Sequence, residues 1–72
     1  MPIVEIKITD ENVTAVQKNR LVSGATQLMV DVLGKDPATT FVLISEISTV
    51  DWGIGGVSVA ELRRGASTSL DI

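Results

Sequence analysis

The sequence predicts an α+β fold: a short β-α-β unit with parallel strands, completed by oligomerisation. Three observations predict it. The chain opens on an alternating apolar stretch, continues into a capped helical segment of about 20 residues, and then runs through a stretch that is apolar on both faces.

From Ile3 to Thr9, Val4, Ile6 and Ile8 alternate with Ile3, Glu5 and Lys7. That period of two, on β-branched residues, is a strand. Asp10-Glu11-Asn12 breaks it as a turn. Thr14 with Gln17 three residues on forms a capping box, in which each side chain satisfies the other's backbone amide. Leu21, Ala25, Leu28, Met29 and Val32 form one apolar stripe of a helix, and Gly34 suits the left-handed residue that stops it. Asp36-Pro37 completes the stop. Thr40 to Ile47 reads as a strand covered on both sides. A strand, a helix and a strand in this order form a parallel pair with a right-handed crossover. Ser48 to Gly56 reads as irregular, with a positive-φ turn in the glycine run. Val57 to Arg64 reads as a short strand followed by a helical turn. The chain is expected to be one domain, 1–72, in which 65–72 is a loose tail or an arm onto a neighbour.

Composition narrows the classes. At 72 residues the chain has room for one small domain, and at 44% apolar it is too hydrophobic for disorder. A lone chain of this size buries only about 60% of its unfolded surface. With no cysteine for a disulfide and no histidine for a zinc site, the remaining support is association with copies of itself. The net charge of −3 gives no footprint for nucleic acid. No apolar run approaches the roughly 18 residues of a membrane span. Met1-Pro2-Ile3-Val4-Glu5 has no basic region of a secretion signal, so the cytoplasm is the expected location.

The chemical inventory is short. Histidine, cysteine and tyrosine are absent, which excludes the commonest bases and nucleophiles. Gly53-Ile54-Gly55-Gly56 lacks the Lys-Ser/Thr of a phosphate loop. Pro2 is different. Removal of Met1, usual before a small second residue, would leave a secondary amine at the start of a strand. An α-amino group titrates near neutrality, and an apolar setting or a nearby cation lowers that value further. Such a nitrogen can take a proton next to a carbonyl or attack one.

Several short motifs then fall in a telling order. Met1-Pro2-Ile3 leads into a strand, and Gln17-Lys18 stands early in the helix. Asp36-Pro37 precedes the second strand, and Ser45-Glu46 lies near its end. Trp52 is followed by Gly53-Ile54-Gly55-Gly56, and Leu62-Arg63-Arg64 comes after. In this arrangement the chain resembles the 4-oxalocrotonate tautomerase family over nearly its whole length. The resemblance implies a β-α-β subunit assembled as a homohexamer, a trimer of dimers. It also implies an amino-terminal proline, here Pro2, acting as the catalytic base of an isomerase. The substrate is a small-molecule enol or keto acid, and no metal or organic cofactor is needed. Trp52 takes the place of the family's active-site aromatic and supplies an apolar wall.

The departures set limits. The family pattern has an arginine in the loop after the first strand, where this chain has Asp10-Glu11-Asn12-Val13, and another near the start of the second strand, at about Val42. Loss of one oxyanion-type donor typically costs about 10²–10³ in rate. Efficient turnover of the dicarboxylate 4-oxalocrotonate is therefore not expected. Backbone amides are expected to stand in for the arginines at the substrate oxygen. Asn12 is a candidate neutral donor to that oxygen, against a plain turn role. Arg63 is a candidate substrate-binding cation across a subunit boundary, against a helix-end charge that suits the macrodipole. Lys7 and Arg20 read as solvated charges, Lys18 as a snorkelling side chain, and Glu46 as a structural hydrogen-bond partner. Two alternatives stand beside the isomerase: hydration, dehalogenation or decarboxylation of a small unsaturated acid, and a non-catalytic oligomer that kept the assembly alone.

Overall fold

The computed structural model describes residues 1–66. Its central unit is β1 (Ile3–Thr9), α1 (Ala15–Leu33) and β2 (Phe41–Ile47). The two strands pair in parallel over their full length, from Ile3 opposite Phe41 to Thr9 opposite Ile47. The register extends one step at each end. Phe41 N–H donates to the Pro2 carbonyl at 2.9 Å, and Asp10 N–H donates to the Ile47 carbonyl at 2.8 Å.

The caps of α1 form as the sequence predicts. Thr14 Oγ1 accepts from the Gln17 amide at 3.1 Å, and Gln17 Oε1 accepts from the Thr14 amide at 2.9 Å. Gly34 sits at φ 62° and its amide returns to the Val30 carbonyl at 3.0 Å, which ends the helix. Asp36 then caps a short 3-10 turn, Pro37–Thr39, that delivers the chain into β2.

The segment read as irregular is more ordered than the sequence suggests. A 3-10 turn, Thr49–Asp51, leads into β3 (Gly53–Ile54), which pairs antiparallel with β4 (Val57–Ser58). Gly55 and Gly56 join them at φ 62° and 87°. Two consecutive positive φ values define the tight turn whose twist matches a hairpin, and glycine adopts them without a Cβ penalty. α2 (Val59–Ala66) follows at once, with Ser58 Oγ accepting from the Glu61 amide at 3.2 Å. Residues 65 and 66 of the expected tail fall within α2. The rest of that tail, 67–72, lies outside the described residues.

The apolar stripe of α1 is displaced from the sequence reading. Ala25 and Met29 are half-buried, together with Lys18, Thr26 and Val30. Leu28 and Val32 are 56% and 67% exposed. The helix therefore carries two apolar flanks, and a two-stranded sheet is wide enough to cover only one of them. The sheet shows the same incompleteness. Val4, Ile6, Ile8, Val42 and Ile44 are half-buried, whereas Ile3, Phe41 and Leu43 on the opposite face are exposed. Val59 is the one fully buried hydrophobic side chain among the described residues. The accessible surface is 5231 Å², against about 4300 Å² for a compact folded chain of this mass. A chain with so little core of its own lacks the burial that normally offsets conformational entropy.

Candidate active site

The sequence-predicted site residues fall at two places. Pro2 stands at the amino end of β1, half-buried, with its carbonyl tied to Phe41. Around it are Ile3 and Phe41 on one face and Val4 and Val42 on the other. With Met1 attached, the Pro2 nitrogen is an amide. Met1 is 82% exposed, so the bond joining it to Pro2 is reachable from solvent.

Asn12, Arg63 and Trp52 belong to the other end. Asn12 lies in the loop after β1 at φ 62°, the left-handed conformation that asparagine tolerates better than most residues. Trp52 follows the turn that leaves β2 and is half-buried. Its carbonyl accepts from the Val59 amide at 2.7 Å, which anchors the start of α2. The Arg63 guanidinium reaches back to Glu11 at 3.1 Å, and so draws α2 beside the loop after β1. From the Pro2 end of β1 to the Thr9 end is roughly 20 Å at the rise of an extended strand. A single chain thus separates Pro2 from the loop that carries Asn12 and the cation paired with it.

Ion pairs crowd the far end. The Lys18 ammonium pairs with the Glu46 carboxylate, linking the first turns of α1 to the end of β2. This replaces the expected snorkelling of Lys18 with a specific partner and gives Glu46 the structural role expected of it. The Lys18 hydrogen bond is the main cause that holds the Glu46 carboxyl below its ordinary value, with loss of solvent opposing it. Glu11 is held low first by the Thr9 hydroxyl and then by Arg63. Both partnerships span long stretches of sequence, so no local spacing could reveal them.

Between the loop after β1 and the start of α1 lies an open groove of about 600 Å³. Ile8, Val13 and Leu21 give it apolar walls, and Glu11, Gln17 and Arg20 give it polar ones. Arg20 is exposed, as expected of a solvated charge, and it also borders this concavity. Among the described residues no three histidine, cysteine or carboxylate side chains are placed to share a metal ion. Nor is any helix of the described residues long and apolar enough to cross a membrane.

Comparison with known proteins agrees with this architecture. The family model described as tautomerase enzyme matches residues 2–62. A relative from Dickeya dadantii, named "Probable tautomerase K2", is 60% identical over 67 residues, covering 93% of this chain and all of its own. The 2-hydroxymuconate tautomerase of Pseudomonas putida is 36% identical and covers 89% of this chain and all of its own. Among solved structures, that of DmpI from Helicobacter pylori superposes with a TM-score of 0.80 at 41% identity, over 85% of this chain and all of that one. The chain belongs to the tautomerase family. Its β-α-β arrangement with parallel strands is the fold of the 4-oxalocrotonate tautomerase homologues.

Proposed function

We propose that this protein is an isomerase that moves a proton within a small enol or keto acid, with the nitrogen of Pro2 as general base once Met1 is removed. The observation that carries the reading is the setting of Pro2. It is fixed to the sheet through its own carbonyl and flanked by Ile3, Val4, Phe41 and Val42. Once a neighbouring copy covers Ile3 and Phe41, which are exposed in the single chain, an amine held there loses water, and poor hydration disfavours its protonated form near neutral pH. In the reaction the neutral nitrogen takes the proton of the substrate's enol hydroxyl. Electrons shift from that oxygen through the double bond, and the same nitrogen returns a proton to the carbon. Substrate and product differ only in the position of one proton, so no oxidant or reductant is consumed.

Trp52 closes the site with an apolar wall, while backbone amides and the Asn12 side chain donate to the oxygen on which charge develops. Since one chain keeps Pro2 about 20 Å from the loop after β1, these groups meet across a boundary between copies. A homohexamer built as a trimer of dimers supplies such boundaries and covers Leu28, Val32, Ile3 and Phe41. The expected setting is cytoplasmic.

Two measurements test the reading together. Intact mass of the protein from its native host is expected to lack Met1. The processed protein is then expected to ketonise phenylenolpyruvate, and Pro2→Ala to remove that activity. A native mass that retains Met1 excludes the amine mechanism. Absence of turnover across a panel of enols and unsaturated acids would leave an assembly without catalysis.

A further inference from the structure

The groove beside β1 contains more chemistry than its apolar walls suggest. Gln17, Arg20 and Leu21 stand at spacings of three and four on α1, which places them on one helix face, turned toward Ile8 and Val13. The polar groups lining the groove can be accounted for in turn. The Glu11 carboxylate accepts from the Thr9 hydroxyl and from Arg63 at 3.1 Å, so its charge is met by a cation. Gln17 spends its carbonyl oxygen on the Thr14 amide, which leaves its NH₂ group as the donor it can offer a ligand. Arg20 makes no hydrogen bond or ion pair through its guanidinium with any described residue. What the groove offers a ligand is therefore one uncompensated cation and one amide donor above an apolar floor.

We propose that this groove binds a single carboxylate of a small acid with an apolar body, with the Arg20 guanidinium holding the carboxylate and the Gln17 amide assisting. Guanidinium matches a carboxylate in a planar, two-bond geometry, whereas the apolar body of the acid lies on Ile8, Val13 and Leu21. The assignment rests on the proposed enol or keto acid chemistry for its link to catalysis, and it narrows the substrate to a monocarboxylate. Arg20 borders the loop after β1, which has no cation of its own, and so supplies a charge that Asp10-Glu11-Asn12-Val13 does not. A second carboxylate would meet Glu11. Arg20 is a binding and specificity-determining residue here, distinct from the base.

Cinnamate, with its apolar body and one carboxylate, is the probe, and cinnamyl alcohol is the same body without the charge. Calorimetric titration of the assembled full-length protein is expected to show cinnamate binding that weakens about tenfold in Arg20→Gln and is largely restored in Arg20→Lys. Cinnamyl alcohol should bind weakly and equally to all three. The same tenfold loss is expected when Arg20→Gln is placed on Pro2→Ala, because the measurement reads binding and no turnover. With phenylenolpyruvate, Arg20→Gln should raise KM while kcat stays within about twofold. Equal cinnamate affinity in wild type and Arg20→Gln overturns the assignment. So does a wild-type backbone NMR titration in which Val13 and Leu21 do not shift, as when a neighbouring copy fills the groove. Turnover undiminished by Pro2→Ala would instead overturn the proline reading, and the titration separates the two failures.

Discussion

The two ends of the β1–β2 sheet are built on opposite principles. The amino end is apolar and held by backbone alone. Pro2 bonds Phe41 through its carbonyl, and Ile3, Phe41 and Leu43 lie bare on the outer face. The far end is laced by side chains: Lys18 with Glu46, Glu11 with Arg63, and the loop after β1 with α2. A base that must stay neutral needs few charges and little water. A site that must capture an acid needs a cation left over when the neighbouring charges are already paired with one another. One chain keeps the two environments a strand's length apart, and in the proposed assembly one copy's amino end would meet another's charged end.

Breaking the dry end should have the largest effect. Pro2→Ala is expected to lower the isomerase rate by roughly 10²–10⁴, the usual contribution of a positioned general base, with folding unchanged by circular dichroism. Next comes the apolar surface that would bring the two ends together. Leu28→Glu puts a charge on a helix flank that is 56% exposed in the single chain and expected to be covered in the assembly. Sedimentation should show smaller species, with association weakened by more than about 2 kcal/mol if Leu28 is a central anchor. A hexamer that survives this change unaltered would place the interface elsewhere.

Gly56→Ala should cost about 1–2 kcal/mol, because a Cβ is unfavourable at its φ of 87° in the β3–β4 turn. Thermal melting reads this directly, and a melting temperature equal to wild type would mean that the turn rearranges. The smallest effect is expected at the charged end. Surface ion pairs contribute little, so Glu46→Gln should lower the melting temperature only slightly at neutral pH. Its pH dependence is more informative. Glu46 and Glu11 are both held below their ordinary value of 4.5, so their contribution is complete above that value. It is lost as pH falls below it, through the lower folded values. Melting temperature should therefore be level from neutral pH down to about pH 5 and fall beneath that, less steeply in Glu46→Gln. An equal fall in both would show that the Lys18 pair does not couple to folding.

The features legible in the sequence were the local ones. Alternation marked β1, and the Thr14–Gln17 box and Gly34 marked the two ends of α1. These signals act between residues two to six positions apart, and the physics that reads them is equally local. The glycine run gave away its turn for the same reason, since positive φ leaves few other residues. The short strand at Val57 was read, but β3 and its pairing with β4 were missed because two-residue strands are too short to show a period. The ion pairs were hidden by distance along the chain: Arg63 finds Glu11 across 52 residues. Lys18 was recognisable as anomalous, a charge within an apolar stripe, but its partner was not. Arg20 is exposed, as read, but its place beside the groove was not legible. Helical periodicity reports which face a residue occupies and not whether the neighbouring loop folds over to shape a concavity there. The two apolar flanks of α1 were merged into one for a related reason, since composition cannot tell a surface covered by the chain itself from one left for another copy.

The strand's length between Pro2 and the Arg20 groove has a genetic consequence. Two defective versions of this protein, one altered at Pro2 and the other at Arg20, each carry an intact half that the other lacks. Unfolded together and renatured as mixed particles, they should regain, at low substrate, some of the turnover that each has lost, just as two damaged alleles can complement one another in a single cell.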